Sequence, residues 1–282
     1  MKVAFYFPVK AQPLTMKAGL YPLGTDFGNG CADQRFFQED GEREEYIAAK
    51  KLVNPQRHGI LVNKDLLPLH LRAINWLSEM LHAELDFSPS LQHTMDPDSL
   101  KAKYNELALS CQEDIALIAA PRAGNDHTQG GQLIMTHICF PSHWSPERIL
   151  GISFDEIHRP VPNFPKTPKV SKNLVQMMST RKPMVRFVWT MSPDSHLDHH
   201  PSHIRNQWYK GLQGYLRVER QTIVPLQLGA LFLIRTYRYP IQVLTSAQRV
   251  ELANALRLLP ENIAKYKGLA SDLTEIIASL EQ

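Results

Sequence analysis

Residues 139–164 read CFPSHWSPERILGISFDEIHRPVPNF, and here the chain changes from strand-like to helical. An apolar run of strand length, Leu133–Phe140, leads into this stretch. Two short helix signals follow, and the second ends on His158, because Pro160 and Pro162 lack the backbone N–H groups that a continuing helix needs. A histidine on so short a helix has its ring direction fixed in advance, which suits a metal ligand. The same histidine can also simply interact with the last carbonyl groups of the helix.

The segments on either side of this stretch differ in character. Residues 1–37 are rich in Pro and Gly and predict an irregular arm. Apolar residues at helical spacing then predict helices over Glu39–Val53, Leu67–Leu85 and Asp98–Gln112. Beyond residue 112, we expect a Gly/Asn/Asp-rich turn at 123–131 and strands at Ile115–Ala120, Gly131–Phe140, Met184–Met191, Tyr215–Val224 and Ala230–Tyr239.

The order of these elements predicts the fold. Residues 144–180 carry three helix signals between the second and third strands, so the central order is β-β-α-α-α-β-β-β. This is the order of a PAS-type domain, an α+β fold in which a five-stranded antiparallel sheet and the inserted helices can enclose a ligand. We expect an N-terminal arm and helical region at 1–112, the PAS-like domain at 113–244, and a helical C-terminal tail at 245–282. The tail should pack on the domain, so that the three regions form one compact unit.

Composition excludes several classes of protein. Of the 282 residues, 43% are hydrophobic and 21% are charged, with a net charge of +3, which is ordinary for a globular protein. Lys and Arg are scattered rather than clustered, so nucleic acid is not an expected partner. A membrane is not expected either, because no apolar run approaches the roughly 18 residues of a membrane span. The three cysteines form no CxxC pair, which indicates reduced thiols in a cytoplasmic protein and excludes an all-cysteine iron–sulfur cluster.

Several segments carry a resemblance to a known family. In chain order they are GLYPL (19–23), QEDIALI (112–118), CFPSHWSPERILG (139–151) with IHRPVP (157–162), KPMVRFVWTM (182–191), RVERQTIVPLQLGALFLIRTY (217–237) and LPENIAKYKGL (259–269). IHRPVP followed by RVERQT…IRTY is specific. On these segments the chain resembles the haem-dependent oxidative N-demethylases.

The resemblance implies a PAS-like haem pocket in the catalytic subunit of a monooxygenase. Such an enzyme holds haem b and uses O₂ to remove a methyl group from a small secondary amine such as dimethylamine, releasing formaldehyde. Haem-binding PAS domains carry their iron ligand in the helical insert, so the resemblance gives this role to His158. The resemblance also implies NADPH, FMN and a 2Fe-2S cluster on reductase partner chains. This chain shows no GxGxxG, P-loop or four-cysteine motif, so an oxygenase of this kind needs a partner that supplies electrons.

Three positions depart from the family's pattern. His143 stands where a small residue is usual, and Arg159 stands where Gly is common. RFVW replaces a pattern closer to RxNW, so an amide is missing at or near Val188. His143 is therefore either a rival ligand or a residue that crowds the pocket. These departures bear on the amine substrate more than on the haem.

Strand alternation supplies further candidates. It puts Arg217, Glu219 and Gln221 on one face of their strand, Val218, Arg220 and Thr222 on the other, and Arg235 and Tyr237 on a common face of the next strand. A buried Arg can pair with a haem propionate, and a buried Glu can bind a cationic amine. The candidate catalytic residues are Glu219, Arg220 and Arg235, and the candidate cofactor-binding residues besides His158 are Arg217, Trp189 and Tyr237. An internal Arg–Glu network or an exposed sheet face would explain the same pattern.

A second histidine-rich stretch, SHLDHHPSHIRNQW at 195–208, allows a different site. On a helix, His196, His199, His200 and His203 would share one face and could hold zinc, as in a non-haem metalloenzyme. Pro201 argues against a continuous helix, so a solvated loop, with or without adventitious metal binding, is the alternative. Another alternative to the demethylase is a non-catalytic haem-PAS gas sensor or haem-binding protein.

Overall fold

The computed structural model describes residues 2–11, 19–90, 96–121, 131–162, 164, 168–209 and 211–281. The strands within this part are β1 Tyr21–Pro22, β2 Gly59–Ile60, β3 Asp114–Ala119, β4 Gln132–His137, β5 Met184–Ser192, β6 Tyr215–Pro225 and β7 Gly229–Pro240. They form one antiparallel sheet in the order β1-β5-β6-β7-β3-β4-β2. The turn predicted at 123–131 lies outside the described residues, except for Gly131.

The expected number of five strands is wrong, because the sheet has seven. The five predicted strands are present as β3 to β7, with bounds that differ from the predictions by no more than three residues. The additional strands β1 and β2 are two residues long and form the two edges. A segment this short carries no periodic pattern. Its pairing depends on a distant partner, Val185 for Tyr21 and Thr136 for Gly59.

The helices surround this sheet. They are α1 Cys31–Gln34, α2 Arg43–Leu52, α3 Leu67–Leu85, α4 Pro97–Ala108, α5 Phe154–Ile157, α6 Pro168–Thr180, α7 Ser246–Arg257, α8 Glu261–Tyr266 and α9 Leu273–Leu280. The prediction for α3 agrees at both ends, whereas α2 and α4 are shorter than predicted. The first of the three predicted insert helices is only a 3₁₀ turn, Pro146–Arg148. Within the described part of the chain, no helix combines the length and the apolar content needed to span a bilayer.

The helices of the insert pack on one face of the sheet, which we call the insert face. Residues directly opposite each other in adjacent strands share a face. The pairs Arg186–Gln221 and Val188–Glu219 lie on this face. Ile234 of β7 lies directly opposite Gln221 and therefore belongs to the same face. Further along the same strands, Phe154 of α5 and Val175 and Met178 of α6 form an apolar cluster with residues of the sheet, including Ile223, Ala230, Ala116 and Ile118.

The N-terminal and C-terminal segments cover the opposite face, which we call the terminal face. Trp189, Val218 and Tyr237 lie side by side on this face and pack against residues of α7 to α9. Leu117 and Leu233 of the same face pack against α3 and α4. The terminal face therefore carries most of the apolar core.

Candidate functional site

His158 directly follows α5 and is fixed by its surroundings on the insert side. Its Nδ1 lies 2.7 Å from the carbonyl oxygen of Phe154, and because a carbonyl only accepts, Nδ1 carries the proton. The ring packs against two aromatic rings, with centroid distances of 4.2 Å to Phe154 and 4.8 Å to Phe164. Burial lowers the pKa of His158, and the positive charge of Arg186 lowers it further. The imidazole is therefore neutral at neutral pH, and its Nε2 offers a lone pair.

The insert face next to His158 carries a polar patch that the insert helices leave partly accessible. Arg186, Glu219 and Gln221 belong to this patch, and each is half-buried, as are Val188 and Ile234 among them. Gln221 donates a hydrogen bond from Nε2 to Oε2 of Glu219 at 3.0 Å. Burial lowers the pKa of the Arg186 guanidinium, whereas the negative charge of Glu219 opposes that shift.

The carboxylate of Glu219 is also held from its other side. Ser142 donates a hydrogen bond from Oγ to Oε1 of Glu219 at 2.8 Å. Arg217, which is almost completely buried, donates in turn from Nε to the Ser142 oxygen at 3.1 Å. The guanidinium of Arg217 also donates to the carbonyl oxygens of Phe140 and His196, at 2.8 and 3.3 Å. Arg217 therefore positions the loop that supports Glu219.

Polar atoms on this face remain without partners. Nε of Arg186, Oγ1 of Thr190 and Oγ1 of Thr236 are buried and have no hydrogen-bond partner among the described residues. Buried polar atoms in native proteins are normally paired, so Nε of Arg186, which borders the polar patch, is suited to a ligand. A group with anionic oxygens is a suitable partner for Arg186.

The other predicted site residues lie on the terminal face. Trp189 and Tyr237 flank Val218 there, and Arg220 lies directly opposite Arg235 in the next row. Arg220 donates from Nη2 to the carbonyl oxygen of Arg35 at 2.8 Å, which ties the N-terminal arm to the sheet. Hence the structure brings Arg217 and Glu219 to the side of His158, and it places Trp189, Arg220, Arg235 and Tyr237 on the opposite side of the sheet.

Arg235 is part of a buried network. The side chain is fully buried and forms a salt bridge from Nη2 to Oδ2 of Asp40 at 2.7 Å. Its guanidinium carbon lies 3.8 Å from the ring centroid of Tyr46 and 4.7 Å from that of Tyr237. Tyr237 donates to the side chain of Gln38. These contacts favour the internal network that the sequence left open as an alternative for this arginine.

The histidine-rich stretch at 195–208 forms a loop rather than a helix. Its four histidines contact carboxylates: His196 and His199 both contact Asp194, His200 contacts Glu147, and His203 contacts Asp198. Among the described residues, these four histidines form no group with ligand atoms close enough to share an ion. His143 belongs to the same region, since its ring stacks on that of His199 at 5.0 Å.

His199 should make folding stability depend on pH. Burial and the nearby Arg217 charge lower the pKa of His199 from 6.5 to about 4. Between these values the unfolded chain binds more protons than the folded chain, so the free energy of unfolding falls as pH falls. Between pH 7 and 5, wild type should lose about 1–2 kcal/mol more than His199→Gln, as measured by urea unfolding at each pH. His196→Gln, which alters an exposed ring of the same loop, should behave like wild type, and equal losses in all three proteins would contradict the assignment.

Two features were missed by the sequence reasoning. Arg186 follows from the same strand alternation that singled out Glu219, once the neighbouring strand is included. The second feature is a cluster of His58, His137 and Cys139 on the terminal side of the sheet. Only the spacing of His137 and Cys139 hints at this cluster, since His58 is remote in sequence.

The chain matches one protein-family model over most of its length. The model of the family described as haem-dependent oxidative N-demethylase, alpha subunit-like, matches residues 74–276. The matched span contains β3 to β7, the insert helices α5 and α6, and His158. It leaves out only the N-terminal part with β1 and β2 and the last six residues. With most of its length covered in this way, the chain belongs to the haem-dependent oxidative N-demethylase, alpha subunit-like family.

Proposed function

We propose that this protein is the haem-binding catalytic subunit of an oxidative N-demethylase that acts on a small secondary amine such as dimethylamine. The observation that carries the proposal is the hydrogen bond from Nδ1 of His158 to the Phe154 carbonyl oxygen at 2.7 Å. A histidine that ligates a metal usually donates its other ring N–H to such a partner, which fixes the tautomer and the ring direction. His158 thus has the orientation and tautomer that a ligand to haem iron would need.

The fold supports the same proposal. Within the sheet, the five long strands have the order β5-β6-β7-β3-β4, and α5 and α6 lie between β4 and β5 in sequence. This arrangement is consistent with the PAS-like architecture that we expected for residues 113–244. The insert face would then be the ligand-binding face, with residues 1–112 and 245–282 supporting the sheet from behind.

The residues of the insert face fit haem b. His158 would hold the iron through Nε2, and Arg186, whose Nε has no partner among the described residues, would pair with a propionate. Phe154 and Phe164 pack against the imidazole and help to fix its orientation. When bound, the haem supplies the activation of O₂ that removal of a methyl group requires.

Glu219 is the residue that we assign to the amine. A secondary amine is cationic at neutral pH, and a carboxylate is its natural partner. Ser142 and Gln221 each donate a hydrogen bond to this carboxylate, so its direction is set before substrate arrives. Arg217 would act by positioning Ser142 rather than by touching substrate. We assign Arg220, Arg235, Trp189 and Tyr237 to the support of the sheet.

The family is that of an alpha subunit, which implies a partner subunit. We propose that reductase partners deliver electrons from NADPH through FMN and a 2Fe-2S cluster. The three cysteines of this chain are free thiols, in keeping with a cytoplasmic location.

The decisive experiment is turnover. The haem-loaded protein, with its reductase and NADPH, should release formaldehyde from dimethylamine in an amount that matches the O₂ consumed. Binding of O₂ or CO without formaldehyde from any small secondary amine would contradict the demethylase and favour the gas sensor. Failure to take up haem at all would contradict both.

Glu219→Gln should weaken amine binding. The substitution keeps the size of the side chain but replaces one acceptor oxygen by an NH₂ donor and removes the charge that pairs with the ammonium group. A hydrogen bond to a charged group is worth about 1.5–3 kcal/mol, which predicts a roughly 10- to 100-fold increase in KM. The control is Glu79→Gln, which alters an exposed carboxylate of α3, the helix packed on the terminal face. An unchanged KM in Glu219→Gln would remove this residue from the substrate site.

A further inference from the structure

We propose that His58, His137 and Cys139 form a second metal site, separate from the haem, that binds one zinc ion. His58 precedes β2, His137 ends β4, and Cys139 follows two residues later. The pairing of Gly59 with Thr136 brings these segments together at the edge of the sheet. His137 lies directly opposite Ile115 and therefore belongs to the terminal face, away from His158. The inference does not rest on the proposed demethylase activity.

The three potential donor atoms are close enough to share one ion. All lie within 4.8 Å of one another. Sγ of Cys139 is 3.5 Å from Nε2 of His58 and 3.8 Å from Nδ1 of His137. A tetrahedral zinc ion with bonds of about 2.0–2.3 Å sets its nitrogen and sulfur ligands roughly 3.3–3.8 Å apart. The cysteine-to-histidine separations therefore already match those around a bound ion.

One of the histidines is oriented by a second residue. Nε2 of His137 lies 3.1 Å from Oδ1 of Asn105 in α4, so Nε2 donates and Nδ1 keeps its lone pair on the side of Cys139. Orientation of a ligand histidine by a hydrogen bond from its other nitrogen is a general feature of metal sites. The rings of His58 and His137 stack with their centroids 3.7 Å apart, and a bound ion would require them to tilt toward it.

The site lies beside a cavity whose walls include two of its three residues. Cys139 is fully buried and His137 is 3% exposed, whereas His58 is half-buried. A cavity of about 320 Å³ lies between α4 and the edge formed by β2 and β4, and its walls include His58, His137, Asn105 and Lys101. Three protein ligands leave a fourth position of a tetrahedral ion free. Water or a small anion near Lys101 would complete the coordination from the cavity.

The donor set selects the class of ion. A thiolate with two imidazoles suits zinc and related transition metals, whereas magnesium and calcium require oxygen ligands. Binding would release the thiol proton of Cys139, because the thiolate is the ligand. The alternative is a stacked histidine pair with a buried thiol that binds no metal. This alternative predicts no stoichiometric zinc in the protein.

The test uses the full-length, haem-loaded protein without an affinity tag, dialysed against zinc sulfate and then against buffer. We expect one zinc per chain and a zinc-edge X-ray absorption spectrum with one sulfur scatterer at about 2.3 Å. Cys139→Ser should lose the sulfur scatterer and bind zinc at least tenfold more weakly in competition with a chromogenic chelator. Cys111→Ser, which alters the other buried cysteine, should retain both properties.

Because Cys139 is fully buried, His58→Ala provides a second variant at a half-buried position that is easier to alter without unfolding the chain. It should also lower zinc affinity at least tenfold, while the haem absorption spectrum stays that of wild type. Less than stoichiometric zinc in wild type would overturn the proposal. So would zinc binding that survives both substitutions or that is lost on changing His196 and His203 instead.

Discussion

His158→Ala should lose its haem. The substitution removes the imidazole that the structure places on the insert side, with its Nδ1 bonded to a backbone carbonyl and its Nε2 available. Haem affinity should fall by two orders of magnitude or more, and the Soret band of protein made with ample haem should disappear or shift strongly. Absorption spectroscopy together with a haem-to-protein ratio would measure the effect. Demethylation should fall with it, because the haem supplies the activation of O₂.

The matched control for this variant is His143→Ala. His143 was the rival ligand suggested by the sequence, but its ring stacks on His199 in the loop 195–208. Haem content should therefore be unchanged in His143→Ala. Added imidazole should restore a six- or five-coordinate spectrum to His158→Gly if the side chain acts as a ligand, whereas a purely structural role would give no rescue. A wild-type Soret band in His158→Ala would refute the axial role and, with it, the proposed haem site.

Much of this fold can be predicted from local patterns of apolar residues in the sequence. Apolar residues recurring every three or four positions define α3 at both ends, and apolar runs of strand length mark β5 and β6 to within one residue. The edge strands β1 and β2 were not predictable in this way, because two residues carry no period and their pairing is decided by tertiary contact. Sequence periodicity thus reports which segments bury a face, but not which distant segments pair.

The site was predictable only in part for a related reason. Alternation correctly separates Glu219 from Arg220, yet it does not show which of the two faces the chain termini will cover. Both faces of β6 carry an arginine, at 217 and 220, and both arginines are buried with internal hydrogen bonds. The His58–His137–Cys139 cluster forms because β2 pairs with β4. In the sequence only His137 and Cys139 are close together, so the third member could not be predicted from local pattern.

Asp40→Ala should destabilise the protein more than any surface substitution. The Asp40 carboxylate is the partner of Arg235, and both side chains are almost completely buried. Its other oxygen accepts from the Glu42 backbone at 2.9 Å and from Gln112 at 3.1 Å. Removal of one member of a buried ion pair leaves an uncompensated charge and costs about 3–5 kcal/mol. Urea unfolding at neutral pH would measure the loss, and Glu281→Ala, which breaks the exposed pair with Arg257, should cost less than about 1 kcal/mol.

The double variant Asp40→Ala/Arg235→Met separates a structural role of Arg235 from a role in the haem site. An apolar side chain of similar length removes the stranded charge and keeps the packing against Tyr46. A buried ion pair replaced as a whole by apolar residues is often nearly neutral, so the double variant should recover much of the stability lost in Asp40→Ala. Because Arg235 lies on the terminal face, the haem spectrum and the KM for amine should remain those of wild type. A double variant that is stable but has lost haem or turnover would show that Arg235 acts in the active site. It would contradict the assignment of ligand binding to the insert face and of structural support to the terminal face.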